Sequence, residues 1–494
     1  MERVFVRELK PYSVADIAKL MGADTDDALR VVERLLANGV MRYRTGSAPD
    51  GTDLPEEDTA GTDELYQFNW VGLALVEDWI FVCYPKYLRA DGITDKDIER
   101  RMRLILRVFR RQAGASRISQ MTEEGLRSSD RLPVMLRLLD LFDEYGEYSN
   151  YELTYEVNGS GVIDWNRTVN GHLPFLSNGR PVYTELETRK TRRNEADFIM
   201  RLHRAVLTEC SRLLTESGVG EMLGLSEIWL SDEEIEDLGD AEVLAWHIGR
   251  ERGVQFVTWK QDVLDAMALY LLDRKTSVRF EEVQSLGTSS FYHVWETACK
   301  VAFGDLLGKR LRQLPIALAD GWCDKRDQTL LGIIPRPKWE RSCDGGYVAC
   351  GDVDTLIPDT VSFFDGADGK AFCIYDAKYY VPSGTGKMKG QPGVESVTKQ
   401  FLYQRAYRDF VVDHGFSSVV NAFLVPGDVD APQKMARVSF PGVLAKEEAP
   451  FSDHVDMWML PAEGVYEAYL RGEKLDAGVI AMIDGVAERH LDAA

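Results

Sequence analysis

Asp359, Asp376 and Lys378 are the residues whose types and spacing most directly carry chemistry. They lie in Ile357-Pro-Asp-Thr-Val-Ser-Phe-Phe-Asp-Gly-Ala-Asp-Gly-Lys-Ala-Phe-Cys-Ile-Tyr-Asp-Ala-Lys-Tyr-Tyr380, which reads as two short strands around a Gly-flanked turn. Side chains alternate along a strand, so Asp376 and Lys378 share a face and Ala377 points away. A symmetric turn from Gly366 to Gly369 sets Asp359 opposite Asp376. Opposed positions have Cβ atoms roughly 5 Å apart, close enough for both carboxylates to hold one cation. A hard ion that takes carboxylate and water oxygens, Mg²⁺, suits such a pair. The chemistry served is metal-assisted hydrolysis of a phosphodiester. The arrangement depends on hairpin register, which the turn type fixes; a bare Asp-x-Lys is otherwise an ordinary solvated strand end.

Two flanking helices extend the set. Over Thr288–Asp305 an apolar stripe of Phe291, Val294, Trp295, Ala298, Val301 and Ala302 predicts a helix, with Glu296 flanking a second stripe of Tyr292, Cys299 and Phe303. A carboxylate on so apolar a surface needs a partner: either a nearby Arg, or the metal site, reached from a helix behind the sheet. After the hairpin, Glu395–Val411 reads as a helix with Gln400, Tyr403, Gln404 and Tyr407 on one face. That face is either interfacial or a source of amides that orient the attacking water or the phosphate beside Lys378. Ser418–Val425 follows as a strand. Helix, hairpin, helix, strand makes a mixed sheet with flanking helices, and the fold class is mixed α/β.

Four segments are expected around this core. Residues 1–65 form a winged-helix-like region with an acidic linker: Ser13 caps one helix, Gly22 breaks it, Asp24 or Thr25 caps the next, and Val40–Arg44 begins a wing. Asp24, Asp26 and Asp27 would meet phosphates badly, so this region is read as a scaffold or protein contact. Residues 66–190 are a β-rich and helical module, 191–280 a helical connector, and 281–494 the hairpin-bearing domain. Strands are expected over Tyr66–Gly72 and Trp79–Tyr87, and helices over Asp95–Ala113, Leu132–Tyr145, Asn194–Ser217 and Asp240–Leu272.

Composition narrows the classes. The 494 residues, 45% hydrophobic and 10% aromatic, allow about three well-filled domains. Seven scattered cysteines fit a reduced interior better than a disulfide framework. No apolar run reaches the ~20 residues of a membrane span, and the N-terminus lacks a secretory pattern; a cytoplasmic location is expected. The net charge of −22 sits largely in Asp50–Glu64 and Ser231–Glu242. Basic residues gather elsewhere, at Arg100–Arg111, Arg189–Arg193, Lys309–Arg312 and Lys325–Arg341. Local potential governs nucleic-acid binding, so the total excludes nothing. Ser383-Gly-Thr-Gly-Lys-Met lacks the first Gly and the final Ser/Thr of a phosphate-binding loop, so no nucleotide hydrolysis is expected of this chain.

Pro358-Asp359 with Asp376-Ala377-Lys378, Glu296 upstream and Gln400 or Gln404 downstream resembles the PD-(D/E)XK nuclease superfamily. Phe68-Asn-Trp-Val-Gly72, Tyr84-Pro-Lys-Tyr87, Gly161-Val-Ile-Asp-Trp-Asn-Arg-Thr168, Phe291-Tyr-His-Val-Trp-Glu296 and Ile374-Tyr-Asp-Ala-Lys-Tyr379 are similar to LlaJI-type restriction endonucleases, related to McrC nuclease subunits. The resemblance spans about residues 66 to 410. It implies a Mg²⁺-dependent endonuclease of a restriction system, acting on double-stranded DNA and leaving 5′-phosphate and 3′-hydroxyl ends. Asp359, Asp376 and the Ala377 carbonyl would hold Mg²⁺, and Glu296 a second ion or a water beside it. Lys378 would orient the attacking water and stabilise developing charge. Implied partners are a McrB-like AAA+ GTPase and a cognate DNA methyltransferase, with a dimer or higher assembly needed to cut both strands. Two rivals stand: a winged-helix DNA-binding regulator with an inert nuclease-like domain, and a structure-selective repair nuclease.

Overall fold

The structure is a computed structural model that describes residues 1–44, 65–89, 93–115, 131–194, 196–274, 283–343, 346–352, 354–366, 369–382, 388–441 and 449–483. It divides into two compact units, Met1–Gln112 with Ser285–Ala494, and Ala113–Gln284. The acidic linker Asp50–Asp63 and the Ser383–Lys387 run lie outside the described residues.

The first unit opens with β1 (Glu2–Arg7) and β2 (Pro11–Tyr12). Ser13 caps α1 (Val14–Met21): its hydroxyl accepts from the Asp16 N–H, and the Asp16 carboxylate accepts from the Ser13 N–H. Gly22, at φ +65°, ends the helix in the left-handed region. Asp24 caps α2 (Thr25–Ala37), which buries Ala28, Val31, Val32 and Leu35. β3 (Met41–Tyr43) and β4 (Tyr66–Phe68) join β2 in a sheet of order β2-β4-β3 beside the two helices.

The strand expected over Tyr66–Gly72 is two strands in two sheets. β4 serves the wing, while β5 (Val71–Val76) pairs antiparallel with β6 (Trp79–Tyr84). All six β5 residues are buried, because the strand is covered on both faces. β1 adds parallel to β6, Glu2 facing Trp79 and Arg7 facing Tyr84. α3 (Asp95–Ala115) follows.

The second unit holds α4 (Arg131–Tyr145), then β7 (Tyr151–Val157) and β8 (Val162–Ile163). Next come the hairpin β9 (Phe175–Ser177) and β10 (Arg180–Val182), and then β11 (Glu187–Arg193). α5 (Phe198–Ser217), α6 (Ala241–Val254) and α7 (Thr258–Arg274) complete it. The single helix expected over Asp240–Leu272 is broken where the Gln255 Oε1 accepts from the Phe256 and Val257 N–H groups, diverting two backbone donors from the ladder.

Returning to the first unit, β12 (Gln284–Thr288) closes a four-stranded sheet of order β1-β6-β5-β12. Its approach to β5 demands two glycines: a Cβ on Gly72 would stand 2.1 Å from the Leu286 carbonyl oxygen, and one on Gly287 2.2 Å from that of Val71. Gly72 also sits at φ +142°. α8 (Phe291–Ala302) leads through short 3₁₀ turns to β13 (Lys338–Cys343) and β14 (Gly346–Asp352). Then come β15 (Thr360–Gly366), β16 (Gly369–Ala377), α9 (Val394–Ala406), α10 (Arg408–Asp413), β17 (Ser418–Gly427), β18 (Gln433–Ser439), β19 (His454–Pro461) and α11 (Ala462–Arg471).

These strands form a mixed sheet of order β15-β16-β17-β19-β18. β16, β17 and β19 run parallel inside antiparallel edges. Alternation along β16 sorts the faces. Phe372 and Ile374 enter a core with Tyr403, Tyr407 and Phe410 of the α9–α10 side. Tyr375 points the other way, its ring 4.7 Å from Phe303 at the end of α8. β1 to β6 belong to the same compact unit as the β15–β19 sheet, and residues 151–193 to the other. No helix of the described residues is long and apolar enough to cross a membrane.

Candidate active site

The hairpin has the register its symmetric turn implies. Gly366 faces Gly369 and Thr360 faces Tyr375, so Asp359 and Asp376 are the next opposed positions along the ladder. Asp376 continues the Phe372–Ile374 face toward α9 and is 5% exposed. The Asp359 Oδ2 accepts from the Ala377 N–H at 2.9 Å, which fixes it across the strand end. The backbone beyond is also held: the Val361 N–H donates to Asp305 Oδ1 at 3.0 Å, and the Lys378 N–H to the Leu424 carbonyl at 2.9 Å.

Burial, then the charge and hydrogen bond of Asp376, push the Asp359 carboxyl up to about 8; Glu296 adds to this and Lys378 opposes it. The Lys378 ammonium lies 2.8 Å from Asp376 Oδ1. Burial works against its charge, but Asp376 and Asp359 outweigh that and hold its pKa above the ordinary value. Ionising both acids beside one ammonium would leave the site net negative, a charge that a bound cation would offset.

Glu296 lies close enough to Asp359 for its charge to help raise that carboxyl. It rises from α8, which packs on the Tyr375 face of the sheet, opposite to Asp376. Its carboxylate is taken by Lys300 at 2.6 Å, with His293 Nδ1 at 3.6 Å. The partner is therefore a lysine one turn on, not an arginine. Among the described residues no three His, Cys, Asp or Glu side chains gather closely enough to hold a metal ion. The Asp359–Asp376 pair nevertheless fits Mg²⁺, which is bound through one or two carboxylates with waters and phosphate completing the shell. Burying two such acids together also calls for positive charge.

The two glutamines diverge. Gln404 Nε2 donates to the Ser452 carbonyl at 2.9 Å and its Oε1 accepts from the Ser452 N–H at 3.1 Å, so both amide atoms are occupied by backbone. Gln400 is fully buried and neither amide atom has a partner among the described residues. Beside it stands a residue not expected from sequence, Asn421 of β17. Its Nδ2 donates to the Gln400 carbonyl at 3.2 Å, and its buried Oδ1 has no partner among the described residues. An Asn inside the apolar run Ser418–Gly427 was the available signal.

A second unexpected group lies behind Lys378. The Tyr379 hydroxyl donates to Glu8 Oε2, which also accepts from the Lys86 N–H at 3.1 Å, and the Lys86 ammonium sits 4.4 Å from the Tyr379 ring centroid. Burial raises the Glu8 pKa against the opposing charge of Lys86, and burial lowers that of Lys86. The ends of β1 and β6 are thus fastened to the residue following Lys378. Separations of 78 and 371 positions leave no local pattern to reveal this.

The mixed sheet thus carries two opposed acids and a lysine at one strand end. The chain belongs to the LlaJI restriction endonuclease family, whose profile matches residues 70–315 and 324–440. It is 28% identical over 382 residues, 74% of this chain and 75% of the relative, to the type II restriction enzyme BsuMI component YdjA of Bacillus subtilis (strain 168). Among solved structures it is similar to a refined half-complex from a tetradecameric assembly of Thermococcus gammatolerans McrB AAA+ hexamers with bound McrC. That match is 14% identical, covers 95% of this chain and 99% of the other, and has a TM-score of 0.38. Family membership makes the chain a restriction-system nuclease.

Proposed function

We propose that this chain is the Mg²⁺-dependent endonuclease of a restriction system and hydrolyses phosphodiester bonds in double-stranded DNA through a PD-(D/E)XK site. The observation that carries the reading is the buried, opposed Asp359–Asp376 pair with Lys378 against it. Asp359, Asp376 and the Ala377 carbonyl would hold Mg²⁺, which when bound supplies positive charge at the scissile phosphate. Lys378 orients the attacking water and stabilises the charge gathering on the phosphate oxygens. Gln400, whose amide atoms have no partner among the described residues, would hold a water or a phosphate oxygen; Gln404 supports the Ser452 backbone. Water adds to phosphorus, the P–O3′ bond breaks, and the leaving oxygen takes a proton, giving 5′-phosphate and 3′-hydroxyl ends. Digestion of unmodified plasmid tests this: discrete Mg²⁺-dependent bands support it, and plasmid left intact at every metal condition, with and without GTP and the partner subunit, overturns it.

A partner subunit is part of the proposal. The Bacillus relative is described as a component of a restriction enzyme, and the sequence contains no complete phosphate-binding loop. A McrB-like AAA+ GTPase is the partner the sequence resemblance implies, with a methyltransferase protecting host DNA and a dimeric assembly cutting both strands. Cleavage that needs neither GTP nor a second polypeptide would remove the GTPase from this picture.

A further inference from the structure

Immediately before Asp359 the chain runs out and back as the two-stranded ribbon β13–β14. Arg341 faces Val348 and Ser342 faces Tyr347 along it. Every residue of β13 is exposed, and large side chains stand in solvent: Trp339 is 66% exposed, Tyr347 73% and Val348 53%. Arg336, Lys338 and Arg341 bring positive charge to it in a chain whose net charge is −22, Lys338 standing opposite Asp352 in the ladder. An isolated two-stranded hairpin is marginal in water, so this one needs either a fixed base or an occupant.

Its base is fixed. The Thr355 hydroxyl donates to the Pro335 carbonyl at 2.9 Å, tying the exit of the ribbon to its entry. The Tyr403 hydroxyl of α9 donates to the Ile357 carbonyl at 3.0 Å, pinning the connection to Asp359. Asp359 is four residues beyond Thr355, a reach of at most about 14 Å. The strands themselves extend roughly 20 Å from that base.

We propose that this ribbon lies in the major groove of duplex DNA next to the bond to be cut. The groove, about 12 Å wide, admits a two-stranded β-ribbon. These cations match phosphates and guanine edges, and the exposed rings and Val348 match sugars and thymine methyls. The proposal rests on the nuclease reading above and adds the element that carries the DNA to the site.

The test is fluorescence anisotropy with a labelled duplex and the full chain carrying Asp376→Ala, which separates binding from cutting. Adding Arg336→Ala, Lys338→Ala and Arg341→Ala together is expected to weaken binding and to flatten the plot of log affinity against log salt by about 2.7, at roughly 0.9 per lost phosphate contact. Glu340→Gln, on the same exposed strand, is expected to tighten binding. Duplex RNA, whose major groove is too narrow to enter, is expected not to compete. If the Asp376→Ala chain binds DNA but the triple variant keeps its affinity and salt slope, or if duplex RNA competes as well as DNA, the ribbon assignment is overturned and the nuclease reading survives. If the wild type cuts no DNA and its Asp376→Ala form binds none, the nuclease reading falls and this one with it.

Discussion

Asp359 and Asp376 face each other across a strand end, with Lys378 as the nearest positive charge, and the division of labour among them can be measured residue by residue. Asp376→Ala removes half of the proposed cation site, and Lys378→Ala removes the charge proposed to stabilise the transition state. Each is expected to lower the cleavage rate by about a hundredfold or more, read as plasmid conversion over time; wild-type cutting by either variant would sink the assignment. The glutamines should separate. Gln404→Ala strips both partners from the Ser452 backbone and should lower unfolding stability by roughly 1–3 kcal/mol while leaving the cleavage rate of the folded protein near wild type. Gln400→Ala should do the reverse. The hairpin was legible in sequence because register, alternation and turn symmetry are local. The Glu296–Lys300 pair is local too, four residues apart on one helix, whereas the nearness of Glu296 to Asp359 depends on how α8 packs against the sheet.

At the scale of elements, the catalytic strand is held from outside its own sheet. Glu8 at the end of β1, Lys86 beyond β6 and Tyr379 after β16 form one buried group. Removing one charge leaves the other buried without an opposite, so Glu8→Ala is expected to cost about 3–5 kcal/mol. Lys86→Met in the same chain should recover part of that loss, a coupling that a double-mutant cycle in urea reads directly; strictly additive losses would show that the two charges do not interact. α1, α2, α3 and α4 were all visible in sequence, since each carries its own cap or periodicity. What sequence could not show was pairing between distant segments. β1 joins β6 in parallel across more than seventy residues, and β12 finds β5 because Gly72 and Gly287 let the backbones meet. Gly72→Ala should therefore destabilise the four-stranded sheet although its neighbours are apolar and well packed.

Across the whole molecule, the unit Ala113–Gln284 lies between the two chain segments of the other, so its stability can be followed as a separate transition, and one residue gives that transition a pH signature. His203 on α5 is fully buried. Its Nδ1 accepts from the Tyr148 N–H at 3.0 Å, so the neutral ring carries its proton on Nε2, which is buried with no partner among the described residues. Burial lowers its pKa from 6.5 to about 4, with Glu147 opposing weakly. A depressed histidine is protonated more readily in the unfolded chain than in the folded one. Its contribution is therefore complete above pH 6.5, shrinks as pH falls from there, and is gone below about 4. The interval corresponds to roughly 3 kcal/mol. Calorimetry from neutral pH down to pH 5 should show the transition of this unit moving to lower temperature. In His203→Gln, where the amide oxygen can still accept from Tyr148 and nothing titrates, the shift should be much smaller. A wild-type transition that stays in place over that window would mean His203 is not held neutral by its surroundings.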